Sequence, residues 1–319
     1  MTSCRLLPLI VFFFAAAAAP QTRTPDGRPD LQGIWNNSTL TPLERGIAYA
    51  FDGKQITLPL VTTLTVTDSQ ATALERRVRS VADFKRGDGS EGDVSGEWNH
   101  EFIEFAAGLA RINGSKRTSL IIDPDDGRIP YLEDKREKSH APESFDSVKD
   151  RDLDERCLHI IGAPILPNVV YRVFQIVQTP NHVMIMAELL HEVRIVRIGG
   201  QHMSPVVRQW LGDSIGHWEG DTLVVDTTNF NSQTKFVGAS ENLHVVERFK
   251  PIDGNTFLYR ATVDDPSVFS KPWVIEYPFA RTPGPMYEFA CHEGNYALQN
   301  ILKAARKADE TSLHRSESK

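Results

Sequence analysis

The chain has 319 residues, a formal charge of −7, 40% hydrophobic residues and 24% charged ones. That balance suits a globular protein with a sizeable core, in one large domain or two ordinary ones. No lysine- or arginine-rich stripe interleaved with aromatics occurs, which argues against nucleic acid as a partner.

The first element in chain order reads as an export signal, residues 1–19. Arg5 precedes an apolar run, Leu6 to Ala19, that is too short for a membrane span and is followed by the polar stretch QTRTPDGRPD. Pro20 hinders cleavage directly before it, so the cut is expected about after Ala18. Cys4 lies ahead of the apolar run and cannot anchor a lipid at the cut. No later stretch is long and apolar enough to span a bilayer, so the mature protein is expected to be periplasmic or secreted. Its removal with the leader leaves Cys157 and Cys291, which in an oxidising compartment have one possible pairing. A disulfide is the plain expectation; a metal-binding or nucleophilic role for Cys291, within ACHEGNY, is the sharper alternative.

Residues 20–319 read as a single domain with a helical and loop insertion at about 68–156. Leu31 to Trp35 is a short strand after a run of turn residues, and TLPLVTTLTVTDSQ is β-branched and suits a strand or extended arm. Asp68 is placed to cap a helix in which Leu74, Val78 and Val81 recur at helical spacing. A second helix fits EWNHEFIEFAAGL, with Trp98, Phe102, Phe105 and Leu109 on one stripe and His100 and Glu101 off it. RINGSKRTSLIIDPDDGRIPYL predicts a turn, a strand and a turn. Glu133 to Asp154 is dense in charge and reads as a surface excursion.

From Tyr171 onward, alternating runs of β-formers are joined by Gly, Asn, Asp and Pro turns: YRVFQIVQTPNHVMIMAELL, HEVRIVRIGG, GHWEGDTLVVDTTNF, LHVVERFKPIDGNTFLYRATV, PWVIEYPF and YEFACHEGNY. This spacing predicts an antiparallel meander, and with no helices between the runs, parallel βαβ topology is excluded. A meander of this length tends to curl and close, which removes its edges. The fold class expected is therefore mainly β: a barrel with peripheral helices, the last being the amphipathic NYALQNILKAARKADE.

PDLQGIW, GHWEGDTLVVDTT and LHVVERFKPIDGNTFLYRATV resemble the pattern of lipocalin-like (calycin) barrels of secreted bacterial proteins, where a Gly-x-Trp strand opens the barrel and a W-x-G-D-T-L-V-V hairpin follows near its end. IIDPDDGRIP, RCL, QIVQTP, GDSIGHWEGDTLVVDTTNF, ERF, DDP, KPW and CHEGNY together resemble a family of exported proteins of environmental Gram-negative bacteria. The resemblance spans most of the chain beyond the leader. It implies an exported location and a lipocalin-like barrel, and it brings no activity with it. The length from Trp35 to Arg172 departs from a plain eight-stranded barrel.

Several polar residues carry candidate chemistry. Glu219, Gly220 and Asp221 fit a tight turn. Asp226 shares a strand face that needs a partner if it is half-buried, with Arg194 or Arg248 available. His217 precedes Trp218 and is a proton-exchanging side chain if it faces the interior, or a satisfied structural histidine if it does not. In a strand, Glu288, Ala290 and His292 share one face while Cys291 points the other way, so Glu288 and His292 form either an acid/base pair or a stabilising pair at the rim. Trp218, Trp273, Tyr277 and Tyr287 are aromatics with which a closed barrel would enclose an apolar cavity or fill it, and a functional reading needs a hollow beneath Trp218.

The chain contains no HExxH, GxSxG, P-loop or GxGxxG, so no zinc hydrolase and no nucleotide cofactor is indicated, and no cofactor or metal is expected. Two classes of function remain. One is a cofactor-independent acid/base enzyme (hydratase, isomerase, cyclase or lyase) acting on a small apolar or aromatic molecule, with His217, Glu288 and His292 exchanging protons and Arg194 or Asp226 orienting them. The other is a non-catalytic carrier of such a molecule. A third possibility is an interaction module that uses the charged excursion at 133–154.

Overall fold

The structure is a computed structural model, and it describes residues 20–49, 55–57, 61–82, 106–136, 147–151, 153, 155–158, 162–167, 173–234 and 236–317. The expected leader, most of the expected second helix and much of the charged excursion fall outside the described residues. Ala106–Leu109, the described end of that expected helix, is a bend.

The elements in chain order are β1 (Gly33–Asn36), β2 (Ile47–Tyr49), β3 (Gln55–Thr57), β4 (Thr65–Val66), α1 (Asp68–Ala82), β5 (Arg111–Ile112), β6 (Ser115–Arg117), β7 (Ile121–Asp123), β8 (Val173–Gln178) and β9 (His182–Ala187). They continue with β10 (Val193–Ile198), β11 (Asp213–Glu219), β12 (Thr222–Thr228), β13 (His244–Asp253), β14 (Thr256–Asp264), β15 (Trp273–Arg281) and α2 (Ala297–Glu317). Strands β8 to β15 pair in sequence order, and β1 pairs with both β8 and β15, which closes a nine-stranded barrel. β7 adds to β15 beside that closure. Closure leaves few of these strands with a free edge for another chain to pair with.

The strands form because their side chains alternate. On β14, Phe257, Tyr259, Ala261 and Val263 are buried while Arg260 is exposed, and β13 alternates in the same way. The β11–β12 loop is two residues, Gly220 and Asp221, with Gly220 at φ +58°, where a hairpin turn of matching twist favours glycine.

The expected antiparallel meander needs one correction: β10 and β11 are parallel. Residues 199–212 carry the chain back to the same end of the barrel without a helix, a length sufficient for such a crossover. A second correction concerns YEFACHEGNY, which forms no strand. Both edges of β15 are already occupied, by β14 on one side and by β1 and β7 on the other.

The barrel interior is filled. Trp35 meets Phe257 edge-on at 4.6 Å, Phe257 stacks on Phe279 at 4.7 Å, and Tyr259 leans on Tyr277 at 5.2 Å, all buried. Such pairs contribute about 0.5–1.5 kcal/mol each beyond the burial of their area. Trp218 stands near the end of β11, at one end of this packed interior. That end is covered by the N-terminal segment: Arg23 pairs with Asp221 at 3.0 Å, Arg28 lies over the Trp218 ring, and the buried Leu31 backbone N–H donates to Gln178. Outside the barrel, α1 packs Ala71, Leu74 and Val78 against Leu40, Ala106 and Leu109 as a separate apolar cluster. Among the described residues no helix is long and apolar enough to cross a membrane.

Candidate functional site

The end of the barrel away from Trp218 holds charge in its interior. β10 points Arg194 inward and β13 points Glu247 inward, and both are almost fully buried. The guanidinium grips the carboxylate with both terminal nitrogens: Nη2 donates to Oε1 at 2.8 Å and Nη1 donates to Oε2. Nη1 also lies 3.4 Å from Thr227 Oγ1, which is joined to Ser214 Oγ at 2.9 Å. The Tyr259 hydroxyl donates to Glu247 Oε1 at 2.9 Å and accepts the Ile165 backbone N–H at 2.8 Å. The Tyr277 hydroxyl donates to the Ile165 carbonyl at 2.7 Å.

Burial alone would lower the pKa of Arg194, but the charge and hydrogen bonds of Glu247 outweigh it and hold it above its ordinary value. Burial, then the nearby Glu247 charge, pushes Tyr259 well above the ordinary phenol range, and burial does the same to Tyr277. Both phenols therefore stay neutral hydrogen-bonding groups.

Beside this network lies a small pocket lined by Gly162, Ile165, Phe174, Ile185, Ala187, Glu192, Arg194 and Leu211, with free space for about one water molecule. It is bounded on one side by regular strand (β8, β9, β10) and on the other by irregular chain, the loop 162–167 and Leu211. Among the described residues its charged lining is Glu192 and Arg194, the latter paired with Glu247, and the side chains of Ile165, Phe174, Ile185, Ala187 and Leu211 make the rest of its wall apolar.

The residues expected from sequence to form one site are distributed over three places. Arg194 and Tyr277 belong to the interior network. Trp273 is buried at the same end, stacked on Phe236 and edge-on to Phe269. His217 points outward and is exposed, with Nε2 3.1 Å from Glu219 Oε1, and Glu219 is also paired to Arg248. Strand parity explains the orientation: Gly216 and Trp218 take the inward positions of β11, so the residue between them faces solvent. Trp218 is partly buried at the opposite end, under Arg28.

Glu288 and His292 are exposed on the irregular segment after β15 and do not share a strand face. That segment is held to the pocket end by three ties. Cys291 is disulfide-bonded to Cys157, the Tyr287 N–H donates to Glu188, and the Tyr287 carbonyl lies 3.1 Å from His191 Nε2. Tyr287 itself is 58% exposed.

Asp226 lies on the outer wall, and its partners are histidines rather than Arg194 or Arg248. His202 Nε2 and His244 Nε2 each approach Asp226 Oδ1 at 3.0 Å. The other ring nitrogen of His202 lies 3.1 Å from Asp213, which also holds Arg197 and the Met203 N–H. This chain of contacts fastens the 199–212 crossover to the barrel wall. Burial opposes ionisation of Asp226, but the bonds and charge of His244 and then His202 prevail and lower its pKa. His244 is correspondingly raised, first by its hydrogen bond to Asp226.

Sequence reasoning missed Glu247, Tyr259, His202 and His244. For Glu247 a signal existed: in VVERF it occupies the same parity as Val245 and Phe249, so an inward carboxylate needed an inward cation. His202 had none, because it lies on an irregular loop. Among the described residues no group of three or more metal-ligating side chains is gathered.

The fold and site define a closed mixed β-barrel with a buried ion pair toward one end. No family model matches the chain, and no curated protein matches it. Among solved structures it is similar over part of its length to a crystal structure of a mutant of the fluorescent protein UnaG, at 12% identity and a TM-score of 0.23, covering 35% of this chain and 72% of that one. The architecture stated above rests on the strand pairings themselves.

Proposed function

We propose that this chain is an exported binding barrel that carries a small apolar or aromatic molecule at the end occupied by Arg194, without catalysing its conversion. The observation behind this reading is the pocket between β8–β10 and Leu211. There, an apolar interior with a mutually neutralised ion pair lies beside irregular chain. Its free space is small, so a ligand enters by pushing aside the loop 162–167 and Leu211 rather than the strands. The disulfide fits an oxidising compartment, which agrees with export.

Catalysis is the second reading, and one observation favours it: Asp226 orients His244 as a carboxylate orients a general base. The wall around that pair is convex barrel exterior, and His217, Glu288 and His292 also face solvent, so carriage is preferred.

Ligand-observed NMR with naphthalene tests the proposal. Saturable binding that is lost when Leu211→Trp fills the pocket, and kept when His217→Ala alters the outer wall, is the expected result. Absence of saturable binding, or binding indifferent to Leu211→Trp, would overturn it.

A further inference from the structure

We infer that the pocket end selects electrically neutral molecules that carry a hydrogen-bond acceptor, such as ketones, esters or amides, over carboxylates and amines. The inference rests on the binding reading above and specifies its ligand.

Charge is the first argument. Arg194 and Glu247 neutralise each other through two hydrogen bonds within the buried interior. A carboxylate or an ammonium entering beside them adds a third, uncompensated charge to a poorly solvated place, and the ammonium also meets the guanidinium. Either ion loses hydration that the site does not replace.

The second argument concerns donors. Of the five N–H groups on Arg194, the bonds described above use those to Glu247 and Thr227, and Nε–H and one Nη2–H donate to no atom among the described residues. Among the described residues the side-chain polar atoms sealed without a partner are on Asn37, Arg45, Arg117 and Trp273, none of them on Arg194. Arg194 lines the pocket, so its spare donors belong to a side chain in contact with that free space. A carbonyl oxygen is the neutral group that accepts from them.

The third argument is that this end already holds uncharged backbone groups of its own. Tyr259 accepts the Ile165 N–H, and Tyr277 donates to the Ile165 carbonyl, one contact to each of the two peptide groups that flank Ile165. The 162–167 loop thus shows what the tyrosine hydroxyls recognise: polar, uncharged groups beside an apolar side chain. A ligand that displaces the loop meets the same two hydroxyls.

The test compares acetophenone, benzoate and benzylammonium, which share one aromatic body and differ in charge, with naphthalene as a body lacking any acceptor. Dissociation constants are measured by NMR titration on the full chain. Acetophenone is expected to bind at least about tenfold more tightly than either ion. Replacing the pair by Arg194→Met with Glu247→Met keeps the interior neutral. That double variant is expected to lose about tenfold more in acetophenone affinity than in naphthalene affinity. Should the double variant fail to fold, the wild-type comparison decides by itself. Benzoate or benzylammonium binding as tightly as acetophenone would overturn the neutral-acceptor inference and leave the binding reading standing. Failure of both naphthalene and acetophenone to bind would overturn both.

Discussion

Glu247 has no exposed surface and three hydrogen-bond partners, counting both guanidinium nitrogens of Arg194 and the hydroxyl of Tyr259. Removing one charge of such a pair leaves the other buried alone, at a cost of about 3–5 kcal/mol, whereas replacing both by apolar groups is far milder. Arg194→Met is therefore predicted to lower the urea midpoint steeply, and adding Glu247→Met to restore much of it. A double variant as unstable as the sum of the two singles would show the two charges to be independent.

The outer-wall pair makes a pH prediction. His244 is raised by Asp226, so its contribution is fully present below the unfolded histidine value of about 6.5 and is lost as pH rises through the folded one. Asp226 is lowered, so its contribution is present above the unfolded value of about 3.9 and is lost as pH falls through the folded one. The stability difference between wild type and Asp226→Asn should therefore peak between about pH 4 and 6.5 and shrink towards pH 9; a difference that grows with pH contradicts it. At this scale the sequence was partly readable. Strand parity groups Glu247 with Val245 and Phe249, whereas the facing of His217 stayed open until the inward positions of Gly216 and Trp218 were known. The histidine partners of Asp226 needed the crossover loop to be folded over it.

Among the elements, the hairpins were legible because their turns are local: Gly220-Asp221 and Gly254-Asn255 sit between alternating runs and set the registers of β11–β12 and β13–β14. The parallel β10–β11 pair was not legible, because direction depends on where residues 199–212 lead the chain, and no local residue encodes that. The YEFACHEGNY stretch alternates like a strand yet has no edge to join, a constraint that exists only once the barrel has closed. Its role is to be a strap. Cys157 and Cys291 lie 134 residues apart, and cross-linking a loop of that size contributes about 4–5 kcal/mol in the chain-entropy account. Cys157→Ala with Cys291→Ala should thus lower the melting temperature by several degrees while leaving the strand signal of far-UV circular dichroism intact. An unchanged melting temperature would mean that the strap adds nothing to the folded barrel.

For the molecule as a whole, closure follows from the number and shortness of the strands, and the lipocalin-like motifs around Trp35 and Trp218 point to it. What fills the interior was harder to foresee. Of the four aromatics expected to enclose a cavity or fill it, Tyr277 belongs to the core itself, where Trp35, Phe257, Tyr259, Tyr277 and Phe279 touch one another. Trp273 is buried beside Phe236 and Phe269, Trp218 is partly buried and Tyr287 is exposed. A barrel of this size is just wide enough for large side chains to fill, so ring-rich strands consume the space they enclose. The two ends then differ. The Trp218 end is covered by the N-terminal segment, and the Arg194 end is bounded by loops. Binding at the second end, over a solid interior, is the claim on which the functional account depends. The most direct measurement is methyl NMR of the isotope-labelled protein titrated with acetophenone. Shifts concentrated on Ile165, Ile185 and Leu211 are predicted; shifts centred on residues around Trp218, or none at saturating ligand, would contradict it.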